Sequence, residues 1–410
     1  MTNKASSDQS TPQEFSSDEW LRYTRHLQLP HIGVEGQLRL KKSRVLIVGA
    51  GGLGSPVSLY LAAAGVGRIT IIDGDTIDLT NLQRQILFTT EQVGQSKAEC
   101  AKKQLLALNP EIDVRAIQEH LSLENAKPLI AGVDLVIDCT DNFSTRYLIN
   151  DICVLLKKPW LFASIHQFSG QCALFTPLKT EASACFRCLF PEKPSGDLAD
   201  CNTAGVMGVL PGLLGTLQAN EALKFLVGLP CALENVLLLA EAQEVEFRKI
   251  QLSKNQECPL CSKESIELSE EDYVLLKSDA PVCSISDNDG GDEQDDNQDG
   301  GKGGGNENNL TADVFLRYVD RPEYYLLDVR SEKEHSSFNI GGENIPLSCF
   351  EREFEESLMR LDKNKIILCY CQTGVRSAKA LVVLERHQFV AKHLKHGLVE
   401  LLKANRDRLR

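Results

Sequence analysis

Hydrophobic positions in the first half of the chain alternate between two periods. "RVLIVGA" (44–50), "RITIID" (68–73) and "DLVIDCT" (134–140) are short, nearly unbroken apolar runs, as expected of strands buried on both faces. Between them, "SPVSLYLAAAGV" (55–66), "KAECAKKQLLALN" (97–109) and "TRYLINDICVLLKK" (145–158) read as helices, and "DVRAI" (113–117) supplies one more strand. This alternation predicts an α/β, Rossmann-like doubly wound, mostly parallel sheet covered by helices. A long helix is expected over "GLLGTLQANEALKFLVG" (212–228). Near the end of the chain, "YYLLDV" (324–329) and "KIILCYC" (365–371) alternate with helical stretches and predict a second, smaller α/β unit.

The two patterns are separated by "SISDNDGGDEQDDNQDGGKGGGNENN" (284–309), which has almost no apolar residue to offset its ordering entropy. A flexible acidic, Gly-rich linker is expected, spanning roughly 25–30 Å as a coil. An ordered calcium loop is the alternative, but the spacing matches no known one. The expected organisation is a first domain at 1–265, a linker at 266–309 and a second domain at 310–410. A length of 410 residues, 42% hydrophobic and 25% charged, suits two or three soluble domains. No apolar signal segment opens the chain and no run approaches the ~20 apolar residues of a membrane span, so a cytoplasmic protein is expected. The net charge of −13 argues against nucleic-acid binding. It is uneven: residues 287–309 hold eight acids against one lysine. Fourteen cysteines in a chain without a secretory segment point to metal binding or catalysis before disulfides.

The first strand ends in Gly49-Ala50-Gly51-Gly52-Leu53-Gly54, where glycines and a helix N-terminus can receive a phosphate chain. Asp73 ends the next strand, 19 residues after Gly54, where an acid can take ribose hydroxyls. Alone, these features fit a dinucleotide site or a tight turn with no ligand. "IDGDTIDLTNLQRQ" then places Asp75, Asn81, Gln83 and Arg84 just beyond. Lys97 opens a helix in "GQSK", and "DCTDN" sets Asp141 and Asn142 at another strand end. Arginine, lysine and an acid at one phosphate site suit a triphosphate with magnesium better than a hydride carrier.

From "RYTRHLQLPHIGVEGQ" through "VGAGGLGSP", "NLQRQ", "GQSK" and "DCTDN", roughly residues 17–262, the chain resembles the HesA/MoeB/ThiF family. Its members adenylate ubiquitin-like sulfur carriers and include the molybdopterin-synthase and thiamine-carrier adenylyltransferases. The resemblance implies that Asp73 holds the ribose, that Asn81, Arg84 and Lys97 hold the phosphates of ATP, and that Asp141 holds magnesium. It also implies a homodimer in which Arg25, on the opening helix, reaches the other subunit's site. Ser16 and Glu19 can box the start of that helix. Arg22, three residues before Arg25, would share its face. His166 in "SIHQFSGQ" stands where many relatives carry another residue.

Cys185-x-x-Cys188 and Cys258-x-x-Cys261 can each grip a metal with two thiolates, and together would make a four-thiolate zinc site. The long gap between them also leaves redox dithiols or coincidence open. The resemblance places such pairs here and implies structural zinc. Cys201 in "DCNTAGVMGVLPG" is either a small buried cysteine or a nucleophile on a mobile loop near the adenylate. The resemblance places a loop cysteine here.

"LCYCQTGVRSAKA" (368–380) runs a strand into a six-residue loop from Cys371 to Arg376. Its amides and arginine make an anion cradle around a cysteine. Phosphatase loops of this type carry one residue more. The shorter ring, with the preceding "YYLLDVRSEKEHSSFNIGGENIPL", resembles the rhodanese domain over about residues 310–410, in which the cysteine carries sulfur as a persulfide. The expected function is ATP-dependent adenylation of the C-terminal glycine of a carrier of the molybdopterin-synthase small-subunit type. Persulfide transfer from Cys371 then yields a thiocarboxylate, with Cys201 as a candidate relay. The sulfur donor would be a cysteine desulfurase or thiosulfate. Alternatives are a carrier for thiamine synthesis or tRNA thiolation, an oxidoreductase fused to a phosphatase, and a sulfur-sensing scaffold.

Overall fold

The apolar run at 44–48 becomes the buried strand β1 (Arg44–Val48), which sends Val45 and Ile47 into one core and Leu46 and Val48 into the other. The structure, a computed structural model, describes residues 15–191, 205–258, 260–262, 308–319, 321–352 and 361–404. The chain divides into two units, Met1–Ile285 and Ser286–Arg410. Most of the expected linker, and Cys201 with its loop, lie outside the described residues. Among the described residues no helix is long and apolar enough to cross a membrane.

In the first unit β1 is joined by β2 (Arg68–Ile72), β3 (Asp113–Ile117), β4 (Leu135–Asp138), β5 (Trp160–His166), β6 (Ser169–Phe175), β7 (Val236–Glu241) and β8 (Glu246–Gln251). They form one eight-stranded sheet in the order β3-β2-β1-β4-β5-β6-β7-β8. Pairing is parallel from β3 to β5, as the alternation predicts, and antiparallel from β5 to β8. The antiparallel half had no periodic signal. β5 and β6 are apolar through most of their length, and their two-residue turn is Gln167-Phe168, without the glycine that marks most such hairpins. Gln167 adopts the left-handed φ of 54° itself.

Helices Gly54–Ala63, Lys97–Leu108 and Val209–Val227 cover one face of the sheet, and Leu123–Ala131 and Phe143–Leu155 the other. Rings of Trp160, Phe162, Phe175 and Phe186 fill the second core, with Trp160 stacked on Phe175 at 5.0 Å. The opening helix Ser17–Arg22 has the expected box: Glu19 N donates to Ser16 Oγ (3.0 Å) and Ser16 N to Glu19 Oε2 (2.7 Å). It stops at Tyr23 and restarts as Thr24–Leu27, so Arg22 and Arg25 do not share one continuous helical face.

The second unit is a five-stranded parallel sheet of β9 (Asn309–Leu310), β10 (Tyr324–Asp328), β11 (Glu343–Asn344), β12 (Ile366–Tyr370) and β13 (Ala391–Leu394), in the order β11-β10-β12-β13-β9. β12 is central and buried, and aims its C-terminal end at the loop that begins with Cys371.

Candidate functional site

β2 and β3 lie to one side of β1 and β4 to the other, so the direction of winding reverses between β1 and β4. A crevice opens at such a point, outside the carboxyl ends of the strands. Here it measures about 290 Å³ and is lined by Gly49, Gly51, Gly52, Asp73, Asp75, Arg84, Gln85, Lys97, His120, Asp141 and Asn142. Gly49 has φ +94°, and a Cβ there would sit 2.8 Å from the Cys139 carbonyl oxygen, so only glycine fits. Gly54 begins the helix and packs on Gly49 instead of lining the crevice.

Asp73 ties the glycine loop to the end of β2: Ala50 N donates to Oδ2 (2.7 Å) and Asp75 N to Oδ1 (2.9 Å). Burial raises its pKa, against the pull of the Lys97 charge and the two amides. Lys97, buried at the start of its helix, donates from Nζ to Asp75 (2.8 Å), which holds the ammonium beside the crevice. The guanidinium of Arg84 is held by the Thr80 carbonyl (3.1 Å). The turn carrying Asp141 is pinned from below. Buried Asp138 accepts from Thr140 Oγ1 (2.6 Å) and Arg146 Nε (3.2 Å), and Asn142 caps the next helix through Thr145 N (2.8 Å). Asp141 itself is exposed, and no hydrogen bond or ion pair to another described residue engages its carboxylate. An unengaged oxygen donor beside the glycine loop fits a hard cation such as magnesium.

Three more of the expected site residues are not among those lining the crevice. Asn81 Oδ1 turns back to accept from Asp78 N (3.2 Å) and caps a short turn, while Gln83 packs against Gly208; neither lines the crevice. Arg25 is exposed, 3.5 Å from Gln28, and does not reach this chain's own crevice. Arg22 instead donates to the Leu108 carbonyl (3.0 Å). Two lining residues carried no sequence signal of their own. Gln85 sits inside "NLQRQ", and its Oε1 is buried without a hydrogen-bond partner. His120 comes from beyond β3, with Nε2 3.8 Å from Asp75. A second groove of about 420 Å³ runs along β5, β6, β7 and the start of β8 past His166, Gln171 and Arg248, and Ile165 lines both it and the crevice.

Cys185, Cys188, Cys258 and Cys261 come together, with all four Sγ within 4.8 Å of one another. Cys185–Cys258 and Cys188–Cys261 are 3.6 and 3.4 Å apart. Thiolates about 2.3 Å from a tetrahedral zinc would be about 3.8 Å apart, so the cluster fits that ion. Hydrogen bonds shared among the four thiols lower the pKa of Cys188 and Cys258 and raise those of Cys185 and Cys261. Among the described residues no disulfide forms.

In the second unit, Cys371 is fully buried and its sulfur accepts N–H bonds from Gly374 (3.1 Å) and Ser377 (3.4 Å). Gly374, at φ +92°, turns the loop into the helix Val375–Arg386 against the Lys395 carbonyl, where a Cβ has no room. Arg376 is held by both oxygens of Glu334 (2.7 Å each). That bidentate contact holds the Glu334 carboxyl at about 2. Beneath it, Asp328 is fully buried. Burial opposes its charge, but hydrogen bonds from Arg330 (2.7 Å) and His335 (2.9 Å) win and keep its pKa low.

Residues 23–260 match the ThiF family and residues 311–404 the Rhodanese-like domain. The chain is 37% identical to a probable adenylyltransferase/sulfurtransferase MoeZ of Mycobacterium tuberculosis, covering 94% of this chain and 93% of that one. It is 36% identical to a probable molybdopterin-synthase adenylyltransferase of Porphyra purpurea, covering 94% and 93%. Among solved structures it is similar to E. coli MccB with ATP, at 26% identity and a TM-score of 0.52, over 59% of this chain and 75% of that one.

Proposed function

This chain belongs to the ThiF family and carries a C-terminal Rhodanese-like domain, and from that premise we propose that it adenylates a ubiquitin-like sulfur carrier and then delivers sulfur to it. The observation that carries this reading is the crevice itself: Lys97, Arg84 and the unengaged Asp141 meet a glycine loop that closely approaches β4. A hydride carrier has no use for that cation and acid set, whereas a leaving pyrophosphate does.

The carrier's C-terminal carboxylate oxygen attacks the α-phosphorus of ATP, and the bond to the bridging oxygen breaks. Lys97 and Arg84 stabilise the charge that gathers on pyrophosphate. Asp73 has lone pairs left beyond its two amide bonds to receive ribose hydroxyls. Magnesium at Asp141 would supply further charge neutralisation. The β5–β8 groove, which meets the crevice at Ile165, suits an extended carrier tail ending at the adenylate. Zinc at the four cysteines would close the fold around the return of the chain, away from the reaction.

The second half of the reaction belongs to Cys371, which loads sulfur as a persulfide under its loop amides. The outer sulfur displaces AMP from the acyl-adenylate, and a second thiol then releases the thiocarboxylate by taking Cys371 into a disulfide. Cys201 is the candidate acyl relay. The 266–309 segment would tether the two modules and raise their effective concentration. In a homodimer Arg25 would complete the second copy's site. The carrier we favour is of the molybdopterin-synthase small-subunit type. ATP–pyrophosphate exchange with purified carriers ending in Gly-Gly tests the proposal: exchange with none of them, at saturating ATP and magnesium, removes the adenylation reading.

A further inference from the structure

A hydrogen-bond chain leads away from Cys371 through the interior and ends at exposed Asn309. Its thiol donates to Ser377 Oγ at 3.6 Å, Ser377 Oγ lies 3.1 Å from His393 Nδ1, and His393 Nε2 lies 2.8 Å from Asn309 Oδ1. Cys371 and Ser377 are fully buried, and His393 is 4% exposed. A carboxamide oxygen only accepts, so Asn309 fixes the proton on Nε2 and leaves a lone pair on Nδ1 facing Ser377. Each step then points one way, from sulfur to imidazole. The single hydroxyl hydrogen of Ser377 has one competing acceptor, the Gly374 carbonyl at 3.0 Å. The amides of Gly374 and Ser377 meanwhile stand ready for the sulfur once it is charged.

We propose that His393 is the proton acceptor of the sulfur-loading step, acting on Cys371 through Ser377 and held in the right tautomer by Asn309. This rests on the sulfurtransferase reading above. As the Cys371 sulfur attacks the outer sulfur of a persulfide donor, its proton passes to Ser377 Oγ and the hydroxyl proton passes to Nδ1. One S–S bond forms at Cys371 and the donor's S–S bond breaks, so there is no net oxidation. The donor leaves as a thiolate, the imidazolium releases its proton to solvent, and solvent protonates the donor. His393 is thus a positioning and relay residue that does not touch the substrate.

Burial and then the neighbouring His396 lower the His393 pKa, which favours the neutral imidazole. Besides Cys371, the ionisable groups on the elements packed around β13 are Cys369, in register, and Tyr370, bonded to the Gly341 carbonyl, on β12, Arg376, Lys379, Glu385 and Arg386 on the loop helix, and Asp313 on the helix Ala312–Leu316. Lys392 flanks it on its own strand. None of these hydrogen-bonds the imidazole; Ser377 and Asn309 do. A thiolate formed at Cys371, joined to the imidazole through Ser377, is a new charge that can draw a proton onto it.

The test uses the full chain and glutathione persulfide, reading the initial rate at which the Cys371 peptide gains one sulfur, about 32 Da, from pH 5.5 to 9.5. His393→Gln keeps an acceptor for Ser377 but cannot take a proton. It should fall about tenfold or more below wild type near pH 6.5 and rejoin it above about pH 9, where hydroxide removes the thiol proton directly. Asn309→Asp, whose carboxylate favours the imidazolium and so keeps His393 protonated to higher pH, should move the acid limb of the profile up by about one pH unit. A His393→Gln profile parallel to wild type at any height overturns the proposal, because structural damage alone scales every pH alike. Should that variant fail to fold, an undisplaced Asn309→Asp profile overturns it instead. Normal wild-type uptake with either result removes the relay alone, whereas no wild-type uptake at any pH removes the sulfurtransferase reading and the relay with it.

Discussion

The nucleotide crevice takes Asp73, Lys97 and Asp141 from separate strand ends and loops spread over positions 49–142, whereas the sulfur loop takes its donors from the backbone N–H groups of residues 374 and 377. The first site adds side chains from several elements to its glycine loop, and each of those can be deleted. The second holds its sulfur by backbone amides that no side-chain substitution removes. The first should therefore fail at several positions, and the second most completely at one, its nucleophile.

The largest expected effect is at that one position. Cys371→Ala should eliminate sulfur transfer while pyrophosphate exchange continues at the wild-type rate, because the described residues that line the crevice all belong to the first unit. Loss of exchange in this variant would break the comparison. Next come Lys97→Ala and Asp141→Ala. Each should slow exchange by about 100- to 1000-fold, the cost of removing one preorganised charge-stabilising group, and leave sulfur loading of Cys371 intact. Normal exchange in both, at saturating carrier, would mean the triphosphate sits elsewhere.

Cys258→Ser should take zinc from about one per chain to none and lower the melting temperature of the first unit, since binding energy at a four-thiolate site is partly folding energy. Both tryptophans, Trp20 and Trp160, lie in that unit, so indole fluorescence follows its melting. Protein that purifies without zinc and melts identically with and without chelator contradicts this.

The smallest effects concern Arg376. Because the loop amides remain, Arg376→Ala should slow sulfur loading by only about tenfold or less. Its partner Glu334 has a folded pKa of about 2 against an ordinary 4.5, chiefly through the Arg376 hydrogen bond. A depressed carboxylate pKa adds stability above the unfolded value, and that stability is lost as pH falls from about 4.5 toward 2. About a third of each side chain is exposed, so solvent screens the pair and the effect is modest. Calorimetry should find the second unit losing less stability between pH 5 and pH 3 in Glu334→Gln than in wild type; equal losses would show that Glu334 carries none of that acid sensitivity.

Sequence alone determined the parallel part of the first sheet, the glycine loop, the two cysteine pairs and the Cys371 ring. Each is local: a period, a spacing or a contiguous stretch that only one backbone arrangement satisfies. The tertiary structure decided the rest. The β5–β8 extension rests on pairing across a turn with no turn residue to announce it. Gln85 lines the crevice while Asn81 Oδ1 turns back to Asp78 N, because a side chain's direction depends on which turn it must cap. The two cysteine pairs, 73 residues apart in sequence, share one site because the sheet brings the chain back. His393 and Asn309 are separated by 84 residues and meet because β13 and β9 pair in parallel, and no period in either segment points to the other. Local chemistry is written in neighbouring residues, but which distant groups share a proton is settled only when the strands have chosen their order.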